Sequence, residues 1–242
     1  MPTLTSQAES MAMPLVTGVG AVASGVGAIS PGLPASVWDS DLLLLFCESQ
    51  DATAVPAVAG YADVAGSPVY VSTGAATRLT VRWRRAVAGE AAPTVPDAGD
   101  HLVGRILGIR GAAMQGNPWN VTAAAADLVS SVTATIPGAT TTVPDCLVVA
   151  ACSTGTDVAS TAHASGWTNA SLANLAEQAD NWVTSGGGGG IAVATGELAA
   201  AGAYAATTVT VGVANFKACL SIAVRGAQML AVPVPTIARP VG

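Results

Sequence analysis

Charge is the scarcest feature of this 242-residue chain. Only 10% of its residues are Asp, Glu, Lys or Arg, against roughly 25% in an ordinary soluble domain. Aromatic residues stand at 4% and lysines are few, so the composition is carried by Ala, Val and Gly. A soluble monomer normally shows more charge at its surface. Two compatible readings follow: a coding bias that replaces Lys and Ile with Ala and Val, or a surface covered by neighbours in an assembly. The charge that is present is negative, with a net value of -6. That argues against a nucleic-acid ligand, because phosphate binding needs a cationic footprint.

Basic residues are also missing by region. None precedes Arg78, six of the nine fall between Arg78 and Arg110, and none occurs from Gly111 to Phe216. Asp127, Asp145, Asp157, Glu177, Asp180 and Glu197 occupy that second stretch. A basic and an acidic stretch in one chain suit head-to-tail contact between copies. The N-terminus lacks the positive region of a signal peptide. The uncharged text from Ser10 to Trp38 is broken too often by Gly and Pro for a membrane-spanning helix. A soluble protein with no membrane partner is the expectation.

Signals for chemistry are absent in turn. Cys47, Cys146, Cys152 and Cys219 have no metal-ligand spacing. They sit in or at the edge of apolar runs, so buried free thiols are expected; a Cys47–Cys152 or Cys146–Cys219 bridge is the alternative. His101 and His163 lie in different halves of the chain, no Gly-x-Ser-x-Gly elbow offers a nucleophile, and no carboxylate pair stands out for glycoside cleavage. Asp97-Ala98-Gly99-Asp100 lacks the further spaced ligands of a calcium loop and reads as an Asp-Gly turn. Asn120-Val121-Thr122 and Asn169-Ala170-Ser171 match a glycosylation triplet of the kind that arises by chance. The expectation is therefore no catalytic residue, no cofactor and no metal.

What the chain does contain is a repeat. Asp41-Leu42-Leu43-Leu44-Leu45-Phe46-Cys47-Glu48 is echoed by Asp145-Cys146-Leu147-Val148-Val149-Ala150-Ala151-Cys152. Each run is followed by an Asp-bearing turn (Asp51, Asp157) and a Gly-aromatic pair (Gly60-Tyr61, Gly166-Trp167). The halves close on Ile109-Arg110-Gly111-Ala112 and Val224-Arg225-Gly226-Ala227. The two apolar runs lack polar alternation, which predicts strands buried on both faces, and they are taken as paired central strands of one core. Arg78–Ala86 alternates cleanly. Leu79, Val81 and Trp83 are expected to point inward, and Arg78, Thr80, Arg82 and Arg84 outward. Ser171–Asn181 has helical spacing, although the equivalent place in the first half is not helical. Gly186–Gly190 reads as a mobile turn without side chains.

Many short strands with Gly and Pro turns predict an all-β fold. We expect a single jelly-roll-like β-sandwich with a pseudo-twofold internal repeat, since each half alone holds too few large apolar residues for its own core. Residues 1–37 form an N-terminal arm with a first strand or hairpin. Residues 38–228 form the sandwich, with halves 38–112 and 137–227 joined by 113–136. Residues 229–242 form an extended, Pro-rich tail.

The order of these features resembles a family. It runs from a Gly-rich opening strand through an Asp-Leu-Leu-Leu strand and Gly-Tyr to Leu-Thr-Val-Arg-Trp-Arg-Arg-Ala with Glu90 after it. Ile-Arg-Gly-Ala, Pro-Gly-Ala-Thr-Thr-Thr-Val (137–143), a second apolar strand and Gly-Trp complete it. Over roughly residues 14–227 this is similar to a β-sandwich family common among tailed-bacteriophage virion proteins and some bacterial surface proteins. The second half departs from it, because Ile191–Ala199 lacks the Arg-Trp-Arg-Arg signature. The resemblance implies a non-enzymatic structural protein of the virion, a head-decorating or tail-tip component, contacting other copies of itself and other virion proteins. Arg78, Arg82 and Arg84 would supply a basic contact face, and charge reversal at Arg82 and Arg84 would leave the fold intact. A receptor- or glycan-binding adhesin is the alternative, with a host glycan stacking on exposed aromatics. Trp119 and Trp182 are the residues for that role, whereas Trp167 is expected in the core.

Overall fold

A computed structural model describes residues 12–50 and 53–228 of the protein. The first half supplies β1 (Leu15–Val19), β2 (Ala23–Gly25), β3 (Leu42–Gln50), β4 (Ala62–Asp63), β5 (Val69–Val71), β6 (Thr77–Arg85) and β7 (Leu102–Arg110). The second supplies β8 (Trp119–Ile136), β9 (Ala139–Thr140), β10 (Cys146–Thr154), β11 (Ala164–Thr168), β12 (Ala173–Val183), β13 (Gly189–Leu198), β14 (Ala203–Tyr204) and β15 (Thr207–Arg225). The protein is all-β: two antiparallel sheets pack face to face as a sandwich, with no helix among the described residues and no closed barrel. The helical spacing at 171–181 gives way to strand β12, because that segment pairs with β13. Residues 1–11 and the tail from 229 lie outside the described residues, as does Asp51.

The repeat is now concrete. The first sheet runs β1-β7-β3-β6-β4, and the second runs β15-β10-β13-β12 with β8 beside β15. Strands β3, β6 and β7 of the first half thus hold the places of β10, β13 and β15. Each half builds one whole sheet, so successive strands are not exchanged between the sheets as in a jelly roll. Strands β3 and β10 do not pair with each other. Each is the centre of its own sheet, and Leu42, Leu44 and Phe46 share one inter-sheet core with Leu147, Val149 and Ala151. Residues from the expected arm supply β1 and β2, and the expected link contains β8.

Because β3 and β10 are apolar on both faces, each sheet needs a cover on its outer side as well. Leu43, Leu45 and Cys47 pack under Ile29, Val55, Val58, Val95 and Ala98, which come from connecting segments. The second sheet is covered by its own strands. β15 lies beside β10 over Ala218–Arg225 and beside β11 over Thr208–Val211, while β8 follows it on both stretches. The β8–β15 ribbon folds back over the sheet. Ala134, Ile136 and Val209 share a cluster with Ala150, Cys152 and Cys219. Ser221 Oγ donates to Pro137 O at 2.6 Å and bonds Tyr204 Oη at 3.0 Å.

A ribbon that folds over loses ladder hydrogen bonds at the crease and strands its carbonyls. The register of β8 and β15 breaks there, on either side of Asn215. Lys217, the only lysine in the sequence, closes the gap. It is fully buried, and its Nζ donates to the carbonyls of Val129 (3.2 Å), Ser131 (3.0 Å) and Asn215 (3.0 Å) and to Ser131 Oγ (2.8 Å). Asp127 Oδ2 pairs with the same ammonium at 3.0 Å. Replacing Lys217 with Met strands these acceptors and is expected to lower stability by about 2–3 kcal/mol. Lys217→Arg should not restore it, because a planar guanidinium cannot converge on acceptors arranged around a point. Equilibrium urea unfolding measures both; an unchanged midpoint would show that the crease holds without the ammonium.

Candidate functional site

The arginines of β6 do not form an exposed stripe. Arg82 is only 8% exposed. Its Nε donates to Asp63 Oδ1 at 2.8 Å, Nη2 to Val55 O at 2.8 Å, and Nη1 to Pro56 O. Arg84 pairs with Glu90 Oε1 at 3.1 Å and stands over the Tyr61 ring at 5.6 Å. Arg78 stands over Tyr70 at 4.8 Å. The alternation correctly separated the two faces of the strand, but the second face lies beneath the segment between β3 and β4. Arg82 pins that segment down, so reversing its charge would not leave the fold intact.

The tryptophans are corrected in the same way. Trp119 is buried, edge-on to Trp83 with ring centroids 5.4 Å apart. Trp182 is buried too; its Nε1 donates to Thr154 Oγ1 at 3.0 Å and its ring lies 4.8 Å from that of His163. Trp167, expected in the core, is half-buried, packs against the cluster that holds Trp182, and donates to Glu177 Oε2 at 2.9 Å. The exposed aromatics are Trp38 (64%) and Tyr70 (53%). Each carries an arginine on its face, Arg110 at 3.7 Å and Arg78 respectively.

One end of the sandwich holds a buried polar network that reading the sequence missed. Glu48 near the end of β3 accepts from Thr77 Oγ1 at 2.9 Å and meets His101 Nε2 at 2.8 Å. Thr77 Oγ1 bonds across the sandwich to Ser153 Oγ of β10 at 2.9 Å. Asp100 Oδ2 lies 3.5 Å from His101 Nδ1, an ion-pair contact too long for a hydrogen bond, and accepts from Gly187 N. Burial pushes the Glu48 carboxyl above its usual range. Burial also pulls His101 down, but the hydrogen bond and charge of Glu48, followed by Asp100, carry it above its ordinary value. Both shifts run toward keeping a proton on the group, and both side chains are 0% exposed. The glycine run is part of this closure. Gly188–Gly190 are buried, and a side chain at Gly187 or Gly189 would collide with Gln50, or with Glu48 and His101. The run is thus required by close packing. The available signal was the pairing of an acid ending an apolar strand with five consecutive glycines.

The remaining titratable groups are scattered. All four cysteines are free and buried. Burial pushes Cys47 and Cys152 up to about 12, Cys146 to about 11, and Cys219 well above its usual value, so thiolate chemistry is suppressed. The ladder sets Cys152 opposite Cys219, whereas Cys146 faces Arg225 and Leu198, and Cys47 lies on the outer face of the other sheet. Neither bridge considered from the sequence has its partners side by side. Asp97 Oδ1 accepts from Gly99 N at 2.8 Å, an ordinary turn. No group of three or more His, Cys, Asp or Glu that could hold a metal occurs among the described residues.

The end opposite the polar network is more open. Ala227 N donates to Gly111 O at 2.8 Å and Ala12 N to Ala227 O at 3.4 Å, so both ends of the described chain leave side by side. Around them lie exposed Leu15, Trp38 and Met114. Shallow cavities of about 190 and 370 Å³ flank Ala227; Trp38, Arg110 and Met114 line the first, and Met114 and Arg225 the second. Arg110 there is held by Asp41 through contacts of 2.9 and 2.7 Å. This terminal pole is the candidate functional surface. No family model, curated protein or solved structure matches the chain.

Two outcomes test this assignment of internal charges. Arg82→Glu places an acid against Asp63 and two carbonyls and should cost at least about 3 kcal/mol or abolish folding; Arg84→Glu should cost less. Thermal melts of the two variants compare them. Asp180 carries the pH test. Its Oδ2 accepts from Ala164 N at 2.8 Å while Oδ1 is buried without a partner, and burial raises its pKa to about 6. The folded protein therefore binds this proton more tightly than the unfolded chain does. The contribution is full below the unfolded value near 4 and is lost as pH rises to about 6. Asp180→Asn should flatten that part of the stability–pH curve and be the more stable protein at pH 7.

Proposed function

We propose that this chain is a non-enzymatic structural protein of a phage virion. It assembles on the head or tail with copies of itself and other virion proteins through its two ends. The observation that carries the reading is that both ends of the described residues lie side by side at one pole, beside Trp38, Met114 and Leu15. Arms that leave a folded unit together can engage a neighbour without disturbing the unit that bears them. The sparse charge of the sequence fits a surface that is partly covered by neighbours. The resemblance to sandwich proteins of tailed phages supplies the virion. The Arg-bearing strand drops out of the contact surface, since Arg82 and Arg84 are committed internally. The adhesin alternative is less favoured, because Trp119 and Trp182 are inside and present no stacking platform.

Quantitative mass spectrometry of gradient-purified particles should find the protein at a fixed copy number relative to the major shell or tail protein. Absence from particles, together with glycan-array binding by the isolated protein, would replace this reading with the adhesin.

A further inference from the structure

Sheet edges are where an assembly of β proteins can add a strand, and the edges of this molecule are not alike. β1 is five residues long with a register break between Val16 and Gly18. On the other side of the first sheet, β4 and β5 have two and three residues. β12 is broken in register twice, between Ala173 and Ala176 and between Glu177 and Ala179. Short strands and bulges of this kind protect edges against pairing. Over Val121–Asp127, β8 has no such protection. It pairs only with β15, and Val121–Asp127 keeps unbroken register with Ala223–Lys217. None of residues 120–133 is buried. Val121-Thr122-Ala123-Ala124-Ala125-Ala126 contains no Pro, no Gly and no charge. Among the described residues it is the long unguarded edge.

The chain also carries a segment suited to such an edge. Beyond Gln228 the sequence continues Met229-Leu230-Ala231-Val232-Pro233-Val234-Pro235-Thr236. In an extended strand the N–H and C=O of one residue point to the same edge, and those of the next residue to the other. Pro233 and Pro235 therefore remove donors from one edge only, and Val232, Val234 and Thr236 keep theirs on the other. Such a strand can pair on one side and cannot recruit a further strand on its far side. The described chain before it is fixed at the pole where Gly226 bridges Ala112 and Ala227 bonds Gly111, and the second copy is what the assembly reading supplies.

We propose that residues 230–236 of one copy add as a terminating edge strand to Val121–Asp127 of β8 in a second copy. The inference rests on the assembly reading and names the contact that would carry it. Sedimentation velocity over a concentration series tests it with four proteins: the full chain, a chain stopped after Gln228, the double variant Val232→Pro/Val234→Pro, and the double variant Pro233→Ala/Pro235→Ala. The full chain should self-associate. The shortened chain and the Val→Pro variant should keep the same melting curve and weaken association by at least about tenfold in Kd. The Pro→Ala variant, with donors restored to the far edge, should associate and proceed to larger species. Hydrogen exchange at Val121–Ala126 should be slowed in the full chain at high concentration and fast in the shortened one. A full chain that stays monomeric, a shortened chain that associates equally well through β8 or any other surface, or β8 amides indifferent to the tail would each overturn the proposal. Particles that take up the shortened chain at full copy number would also refute it, while leaving the assembly reading intact.

Discussion

The constraint on which this structure depends is that its two central strands are apolar on both faces. A sandwich normally buries one face of each sheet and wets the other. Here β3 and β10 are buried along their apolar runs, so two further covers are needed. In the first half the cover is made of connecting segments, and Arg82 holds one of them by gathering Val55 O, Pro56 O and Asp63. In the second half it is made by folding a long ribbon back on its own sheet. The charge that composition suggested was lacking at the surface is partly spent inside, on these covers.

The two solutions use their cations alike. Arg82 and Lys217 each satisfy carbonyls that irregular backbone leaves without a ladder partner, and each is neutralised by one aspartate, Asp63 or Asp127. A guanidinium suits the first place, where acceptors lie along a fork; an ammonium suits the second, where they surround a point. A buried cation without such a shell would be heavily penalised. The acid–base pair at the end opposite Ala12 and Ala227, Glu48 with His101, follows the same logic. Its members find each other, Thr77 and Asp100 where two sheets and a side-chain-free glycine run meet.

Fold class was legible because apolar continuity and turn chemistry are local properties. The two-faced burial of Leu42–Cys47 and Leu147–Cys152, and the correspondence of the halves, could be read directly from the residues. Topology was not, because which sheet a strand joins depends on long-range pairing that periodicity does not encode. Exposure failed for one physical reason throughout. Alternation on Arg78–Ala86 separates two faces but does not say what lies over each, and a covered outer face turns an apparent solvent stripe into an internal clamp. Trp119 and Trp182 were misplaced for the same reason, since a ring outside an obvious apolar run can still sit beneath a neighbouring strand. The polar network was illegible because Glu48, Thr77, His101 and Ser153 are separated widely in sequence and brought together only by sheet packing.

These internal commitments narrow where function can lie. With Arg82, Trp119 and Trp182 buried and Arg84 half-buried against Glu90, the proposed recognition falls to what the fold leaves unspent. The backbone of β8 along one edge is unspent, because a strand that borders a single neighbour satisfies only half its donors and acceptors. The pole where Ala12 meets Ala227 is unspent as well, with Trp38 and Met114 exposed around it. An extended chain and an open strand edge are complementary by hydrogen bonding alone, so a protein poor in surface charge and accessible aromatics can still make directional contacts. In the proposed contact that directionality would come from the backbone, and proline placement, more than side-chain chemistry, would set where growth stops.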